Sequence, residues 1–326
     1  MTYREALRLA LREELARDPR VFVMGEEVGV FDGAYKVTQG LLEEFGPDRV
    51  RDTPISEEGF VGAGVGAAML GERPVVEIMT INFLLVAMDQ VVNHAAKIGA
   101  MFGGEVRCPL VIRTPNGAGN QLTAQHSQSF EGWFAGTPGL KVVAPANPAD
   151  AKGLLKAAIR DDDPVLVVEN LSIYKEHGEV PLDPDHVVPI GLAAVARSGS
   201  DVTLVAHGYA AVRALHVAER LAERHSVSAE VVDLRSLRPL DVETIAESVS
   251  KTGRAVCIEE GWPSYGVTAE VAARIQRVCF DDLDAPVERV GMAEVPLPYA
   301  KELETAAIPG EDRIESAVLA TLGLRR

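Results

Sequence analysis

The sequence predicts an α/β protein made of two doubly wound domains, and three observations carry that prediction. Short continuous apolar runs such as Val21-Phe-Val-Met24 and Val165-Leu-Val-Val168 alternate with helical patterns, as in parallel strands covered on both faces. The 326 residues are enough for two cores. A stretch rich in proline and charge, Glu176-His-Gly-Glu-Val-Pro181-Leu-Asp-Pro184-Asp185, separates a longer first half from a shorter second half. The expected organisation is a domain over 1–175, a linker over 176–200 and a second domain over 201–326.

In order, residues 3–17 form an amphipathic helix with Leu7, Ala10, Leu11 and Leu15 on one side. Val21–Met24 is a buried strand closed by Gly25-Glu26-Glu27-Val28-Gly29, and residues 38–45 are a helix ended by Gly46-Pro47. A glycine-rich helix follows from about Ser56. Residues 74–79 are a strand, 84–101 one long helix, and 109–113 a strand opening into the loop Thr114-Pro-Asn-Gly-Ala-Gly119. A helix near 129–135, a strand over 140–143, a helix over 148–160 and a strand over 165–168 complete the first half. In the second half, strands lie near 202–206, 229–233, 255–259 and 287–290, with helices near 209–224, 241–250, 266–278 and 311–322.

Composition narrows the class. Hydrophobic content of 47% and charged content of 25% are those of a soluble globular chain, and no apolar run reaches a membrane span. The helical, acid-containing N-terminus resembles neither a signal nor a transit peptide, so a cytoplasmic location is expected. Cys108, Cys257 and Cys279 are widely spaced and form no metal or redox motif. A formal net charge of -16 argues against nucleic-acid binding and is compatible with a basic protein partner.

The chemistry gathers around Asp52-Thr-Pro-Ile-Ser-Glu57-Glu58-Gly59-Phe60-Val-Gly62-Ala-Gly64-Val-Gly66. Pro54 prevents a helix from starting much before Ser56, so Glu57 and Glu58 fall at its positive end. Gly59, Gly62 and Gly66 share one face, which predicts close approach of a backbone or a flat ligand. Gly62-x-Gly64-x-x-Ala67, followed by Glu77, loosely fits a dinucleotide fingerprint. The preceding Thr-Pro-Ile-Ser-Glu-Glu is a poor strand, however, and the glycines lie inside the helix. Ligands of open α/β sheets bind at the carboxyl ends of strands. Phe83 follows the strand at 74–79, and His126 follows that at 109–113. Glu57, Phe83 and His126 are therefore expected to converge as an active site of one carboxylate, one aromatic ring and one imidazole. Each also has an ordinary structural reading, as helix-terminus acid, core ring and satisfied histidine.

Gly33-Ala-Tyr-Lys36, Asp52-Thr-Pro-Ile-Ser-Glu57-x-Gly-Phe60, Pro115-Asn-Gly117, Gln125-His-Ser-Gln128, Pro138-Gly-Leu-Lys-Val-Val143 and Asp150-Ala-Lys-Gly-Leu154 resemble the beta subunits of thiamine diphosphate-dependent 2-oxoacid dehydrogenase components. Val231-Val-Asp-Leu-Arg235-x-Leu-x-Pro-Leu240 and Arg254-Ala-Val-x-Ile-Glu259-Glu extend the likeness over nearly the whole chain. The resemblance implies a transketolase-like pyrimidine-binding domain followed by a transketolase-like C-terminal domain. It implies that Glu57 hydrogen-bonds the aminopyrimidine ring of thiamine diphosphate, a role that suits a carboxyl of raised proton affinity. Phe83 would stack on that ring. His126 would donate a hydrogen bond to the 2-oxo acid, or a proton when the acyl group passes to a lipoyl thiol. Glu58 lies outside the matched position and reads as structural. A potassium site is implied at the carbonyls of Leu110, Ala158, Asp161 and Asp163; the ordinary reading of those residues is an acidic turn.

The family holds the diphosphate and its magnesium ion with a Gly-Asp-Gly motif, which does not occur in this sequence. An alpha subunit is therefore expected to supply that half of the site in an alpha2-beta2 tetramer. A dihydrolipoyl acyltransferase core is the further partner. The implied reaction is oxidative decarboxylation of a 2-oxo acid with reductive acylation of lipoyl groups, with pyruvate favoured by Gly33–Lys36 and Gln125–Ser129. A branched-chain 2-oxoacid or acetoin dehydrogenase, a non-catalytic scaffold subunit and a nucleotide-binding oxidoreductase are the rivals.

Overall fold

The computed structural model describes residues 1–324 and divides into two compact units. The first comprises residues 1–116 and 133–190, the second residues 117–132 and 191–326.

In the first unit, α1 (Tyr3–Arg17) opens with a capping box in which Thr2 and Glu5 satisfy each other's backbone N–H groups. The strands β1 (Val21–Gly25), β2 (Val50–Asp52), β3 (Arg73–Glu77), β4 (Val111–Asn116), β5 (Lys141–Val143) and β6 (Val165–Asn170) pair in the order β5-β6-β4-β3-β1-β2, all parallel. One register row crosses them: Lys141, Val165, Val111, Val75, Val23 and Val50. The central strands are buried along their whole length, which is why they read as unbroken apolar runs. The helices α2 (Leu41–Phe45), α3 (Glu57–Met69), α5 (Glu131–Ala135) and α6 (Pro148–Arg160) connect them. Helix α6 packs on α1, where the buried Lys152 and Lys156 bond to Glu13 and Arg160 pairs with the fully buried Glu14.

The helix expected over 84–101 is broken into a 3-10 turn (Phe83–Leu85), a π turn (Gln90–Ala95) and the short α4 (Ile98–Met101). The break sits where Gly139 presses on this segment: a Cβ there would lie 1.8 Å from the Ala96 carbonyl oxygen. The Ala96 N–H reaches back to Val91 at 3.0 Å, the wider π spacing. Strand β4 also runs on to Asn116, through Pro115, where the sequence predicted loop. The short β2 ends on Asp52, the first residue of the polar lead-in, and was not expected from the sequence.

The second unit has a five-stranded sheet from β7 (Ala194–Arg197), β8 (Val202–Ala206), β9 (Ala229–Asp233), β11 (Ala255–Ile258) and β12 (Glu288–Val290), ordered β12-β11-β8-β9-β7. Only β7 is antiparallel. It is an edge strand with mostly exposed residues, so it lacks the buried-run signature and fell within the expected linker. A short strand, β10 (Ser236–Arg238), follows β9. The helices are α7 (Gly208–His225), α8 (Val242–Thr252), α9 (Val267–Val278), α10 (Lys301–Ala307) and α11 (Glu311–Thr321). No described helix is long and apolar enough to cross a membrane.

Candidate active site

Glu57 begins α3, with Asp52 and Pro54 just ahead of it, and its side chain turns inward while Glu58 stays exposed. What receives it is the carboxyl end of β1. There Gly25 pairs with Asp52 of β2 on one side and Glu77 of β3 on the other, and the Gly25 carbonyl accepts the Thr53 N–H at 3.0 Å. The next residue, Glu26, is buried beside Glu57. Burial first, then the charge of Glu57, then a side-chain hydrogen bond with Glu57 raise the Glu26 carboxyl above its ordinary value. Its Oε1 has no hydrogen-bond partner among the described residues. Two carboxyls thus meet at the helix N-terminus, and Glu26 is held more readily in its neutral form. Sequence reading singled out Glu57 as a candidate and did not single out Glu26, although its position directly beyond a buried strand was a usable signal.

The surrounding loop is held by Asp52, whose carboxylate accepts the Gly29 N–H at 2.6 Å and the Val30 N–H at 2.9 Å. Gly33 sits at φ +80, and a Cβ there would meet the Thr38 hydroxyl at 2.8 Å, so glycine is required. Beneath the loop lies a buried ion cluster that sequence reading did not anticipate. Arg113 of β4 binds Glu169 of β6 through two nitrogens, Nε at 2.8 Å and Nη2 at 2.5 Å, and also bonds Glu77 of β3. The Glu169 carboxylate accepts the Tyr174 hydroxyl. Burial by itself would lower the Arg113 guanidinium, but Glu169 and Glu77 outweigh it and hold it above its ordinary value. Burial, opposed by Arg113, raises the Glu77 carboxyl above its ordinary value. This removes the acid that a nucleotide-binding reading needs: Glu77 is spent on Arg113, and Gly62 and Gly64 lie well inside α3.

Phe83 opens the 3-10 turn after β3 and is half-buried, beside the buried Asn82, whose amide donates to the Thr80 hydroxyl at 2.7 Å. His126 belongs to the second unit, in the segment 117–132. It is half-buried, and its N–H reaches the Thr123 carbonyl at 3.4 Å.

At the four expected cation ligands, the Leu110 carbonyl accepts the Val165 N–H at 2.9 Å and the Ala158 carbonyl accepts the Asp161 N–H at 3.2 Å. The Asp161 carbonyl accepts Arg73 Nη1 at 2.9 Å, and the Asp161 and Asp163 carboxylates bind Lys141. Each carbonyl keeps a second lone pair. Among the described residues, no group of three or more His, Cys, Asp or Glu side chains could hold a metal ion.

Two family models match the chain: Transketolase, pyrimidine binding domain, over residues 1–176, and Transketolase, C-terminal domain, over residues 191–314. The chain is 53% identical to the pyruvate dehydrogenase E1 component subunit beta-1, mitochondrial, of Arabidopsis thaliana, covering 98% of this chain and 88% of that protein. It is 52% identical to the pyruvate dehydrogenase E1 component subunit beta of Rickettsia bellii, covering 98% and 97%. Among solved structures, a split gene transketolase, described as an inactive beta4 tetramer, matches with a TM-score of 0.79 and 25% identity over 100% of this chain and 99% of that one.

Proposed function

Since the chain belongs to the family of pyruvate dehydrogenase E1 component beta subunits, built from transketolase pyrimidine-binding and C-terminal domains, we propose that it forms the pyrimidine-binding half of a thiamine diphosphate site shared with an alpha subunit. The reaction is oxidative decarboxylation of pyruvate with acyl transfer to a lipoyl group. The observation that carries this reading is Glu57: buried, first in its helix, and beside a second buried carboxyl, Glu26.

The residues fit an aminopyrimidine. A ring nitrogen and an exocyclic amine need a carboxyl that can hold a proton and a neighbouring acceptor. Glu57 and the unpartnered Glu26 Oε1 offer both. When bound, thiamine diphosphate supplies a nucleophilic carbon and an electron sink for the departing CO2. Glu57 would hydrogen-bond the ring nitrogen and share a proton with it. Burial and the neighbouring charge of Glu57 favour the neutral form of Glu26, so Glu26 is the acid that can donate a proton toward Glu57. Glu26 keeps its proton to higher pH than a free carboxyl would. Phe83 would stack on the ring. His126 donates a hydrogen bond to the substrate or a proton during acyl transfer.

The alpha subunit supplies the magnesium and diphosphate half, since this sequence has no Gly-Asp-Gly motif, and the assembly is alpha2-beta2 in the cytoplasm. A dihydrolipoyl acyltransferase core binds the assembly through a basic module drawn to this acidic chain. Capture of the core by the tagged complex that does not weaken as salt is raised would remove the electrostatic part. Potassium binds the carbonyls of Leu110, Ala158, Asp161 and Asp163 through their second lone pairs, with Arg73 as the group it must accommodate. A melting temperature higher in KCl than in LiCl at equal ionic strength is expected, and equal values would dismiss the site.

The deciding experiment is 2-oxo acid-dependent reduction of an artificial electron acceptor with thiamine diphosphate and Mg2+. It is run on the chain alone and on its complex with the alpha subunit, over pyruvate, branched-chain 2-oxo acids and acetoin. Activity confined to the complex and highest with pyruvate is expected. Activity from the chain alone would refute the shared site, and preference for another acid would reassign the substrate. In the complex, Glu57→Gln is expected to cost at least about 100-fold in rate with assembly intact; an unchanged rate would point to a scaffold subunit.

A further inference from the structure

We propose that Glu304 of α10 is a positioning residue for His126, a role that rests on the function assigned to His126 above. Segment 117–132 is part of the second unit, and its two ends are fastened by different means. At the exit, Glu131 meets the buried His207 at 3.1 Å, Phe130 packs on Trp262 with ring centroids 6.4 Å apart, and Gly132 lies so close to the Val267 backbone that an added Cβ would be 3.4 Å from its nitrogen. At the entry, Ala118 sits in a buried cluster with Met292, Leu297, Ala307 and Ile308. Beside that cluster, the Glu304 carboxylate accepts the Gly119 N–H at 2.9 Å and the Gln121 N–H at 3.1 Å.

Glu304 is only 2% exposed. Its carboxylate has two backbone N–H groups as recorded partners and no cation among the described ion pairs. A buried carboxylate needs those donors, so the loop is obliged to wrap it. The wrapping is conformationally costly. Gly119 sits at φ +94, which suits glycine, but Gln121 at φ +54 and Thr123 at φ +67 occupy the left-handed region that L residues avoid. Such strain persists where the surroundings over-determine it. Thr123 then accepts the N–H of His126, so the strained turn ends on the imidazole-bearing residue. The chain of placement runs from Glu304 to the 119–123 turn to His126. The sequence offers no sign of it, because Glu304 lies 178 positions after His126 in a helix with no strong apolar pattern.

The test uses the complex with the alpha subunit, thiamine diphosphate and Mg2+, and four variants: Glu304→Gln, which keeps shape and one acceptor oxygen, His126→Ala, the two together, and Glu302→Gln on the exposed side of α10 as control. The measurements are kcat and KM for reductive acylation of a lipoyl domain, cofactor affinity, and hydrogen exchange of residues 117–128. Glu304→Gln is expected to lower kcat by about 10- to 100-fold, the scale of a misplaced catalytic group. Cofactor affinity should stay within about twofold, and exchange at 119–123 should quicken. The double variant should be no slower than His126→Ala, because the effect passes through His126. If His126→Ala is slow while Glu304→Gln shows normal rate and exchange, the positioning role is wrong and the function of His126 stands. Losses that multiply in the double variant also overturn it, since Glu304 would then act elsewhere. A normal rate for His126→Ala removes the function of His126 itself, and the positioning role with it.

Discussion

Two acids side by side at Glu57 and Glu58 look alike in sequence, and only their surroundings separate them: Glu58 is solvated, while Glu57 meets Glu26 across the end of β1. That pairing has a cost in stability whose sign follows from linkage. The folded state raises Glu26 above its unfolded value, so the group's contribution is fully present below the unfolded value and is lost as pH rises through the folded one. Glu26→Gln removes the ionisable group and is therefore expected to raise the melting temperature near pH 8 relative to its effect at pH 4, while slowing the reaction. Scanning fluorimetry across that range decides it, and a pH-independent shift would deny the buried pair. Stability given up at a functional site is the usual trade. Arg113 argues the other way. Replacing it by methionine strands Glu77 and Glu169 without their cation, and a loss of about 3–5 kcal/mol in denaturant unfolding is expected. A loss under about 1 kcal/mol would show that Glu77 and Tyr174 already neutralise the cluster.

At the scale of elements, the glycines of α3 divide differently from the pattern in the sequence. Gly59, Gly62 and Gly66 share a face, yet nothing lies within 4 Å of a Cβ added at Gly66, and at Gly62 the nearest atoms belong to the Gln90 side chain. The close approach is instead at Gly64, where a Cβ would come 2.8 Å from Val76 Cγ2 and 3.3 Å from Leu110 Cδ1. Gly64→Ala is thus expected to destabilise the chain by about 1–3 kcal/mol through overpacking against the sheet. Gly66→Ala is expected to stabilise it by about 0.5–1 kcal/mol through helix propensity. Urea unfolding of the two single variants distinguishes them, and losses of equal size would mean that the face at Gly66 is also packed. Helical periodicity places residues on faces without saying which face meets the sheet. The broken helix after Phe83 has the same root: its π turn is set by Gly139, which lies far along the chain.

For the molecule as a whole, the second unit carries its own pH signature. Burial would lower His207, but the hydrogen bond and charge of Glu131, with the charges of Glu259 and Asp233, hold it above its ordinary value. A raised histidine contributes stability that is present below the unfolded value and is lost as pH rises through the folded one. The second unit is therefore expected to lose stability above about pH 6.5, and His207→Gln should flatten that slope. The check is thermal unfolding from pH 5.5 to 9, and an unchanged slope in the variant would exclude the His207–Glu131 pair as its source.

Much of this was settled by the sequence itself. Continuous valine-rich runs and their alternation with helices gave the doubly wound fold, because strands buried on both faces admit few polar residues. The lead-in through Pro54 gave Glu57 its place at a helix start, because proline and capping act locally. Four things were decided only by the tertiary structure: Glu26 as the partner of Glu57, the Arg113 cluster, the edge strand β7, and Glu304 in contact with the loop of His126. Each depends on which distant residues the sheet order and chain crossings bring together, and local periodicity carries no record of that.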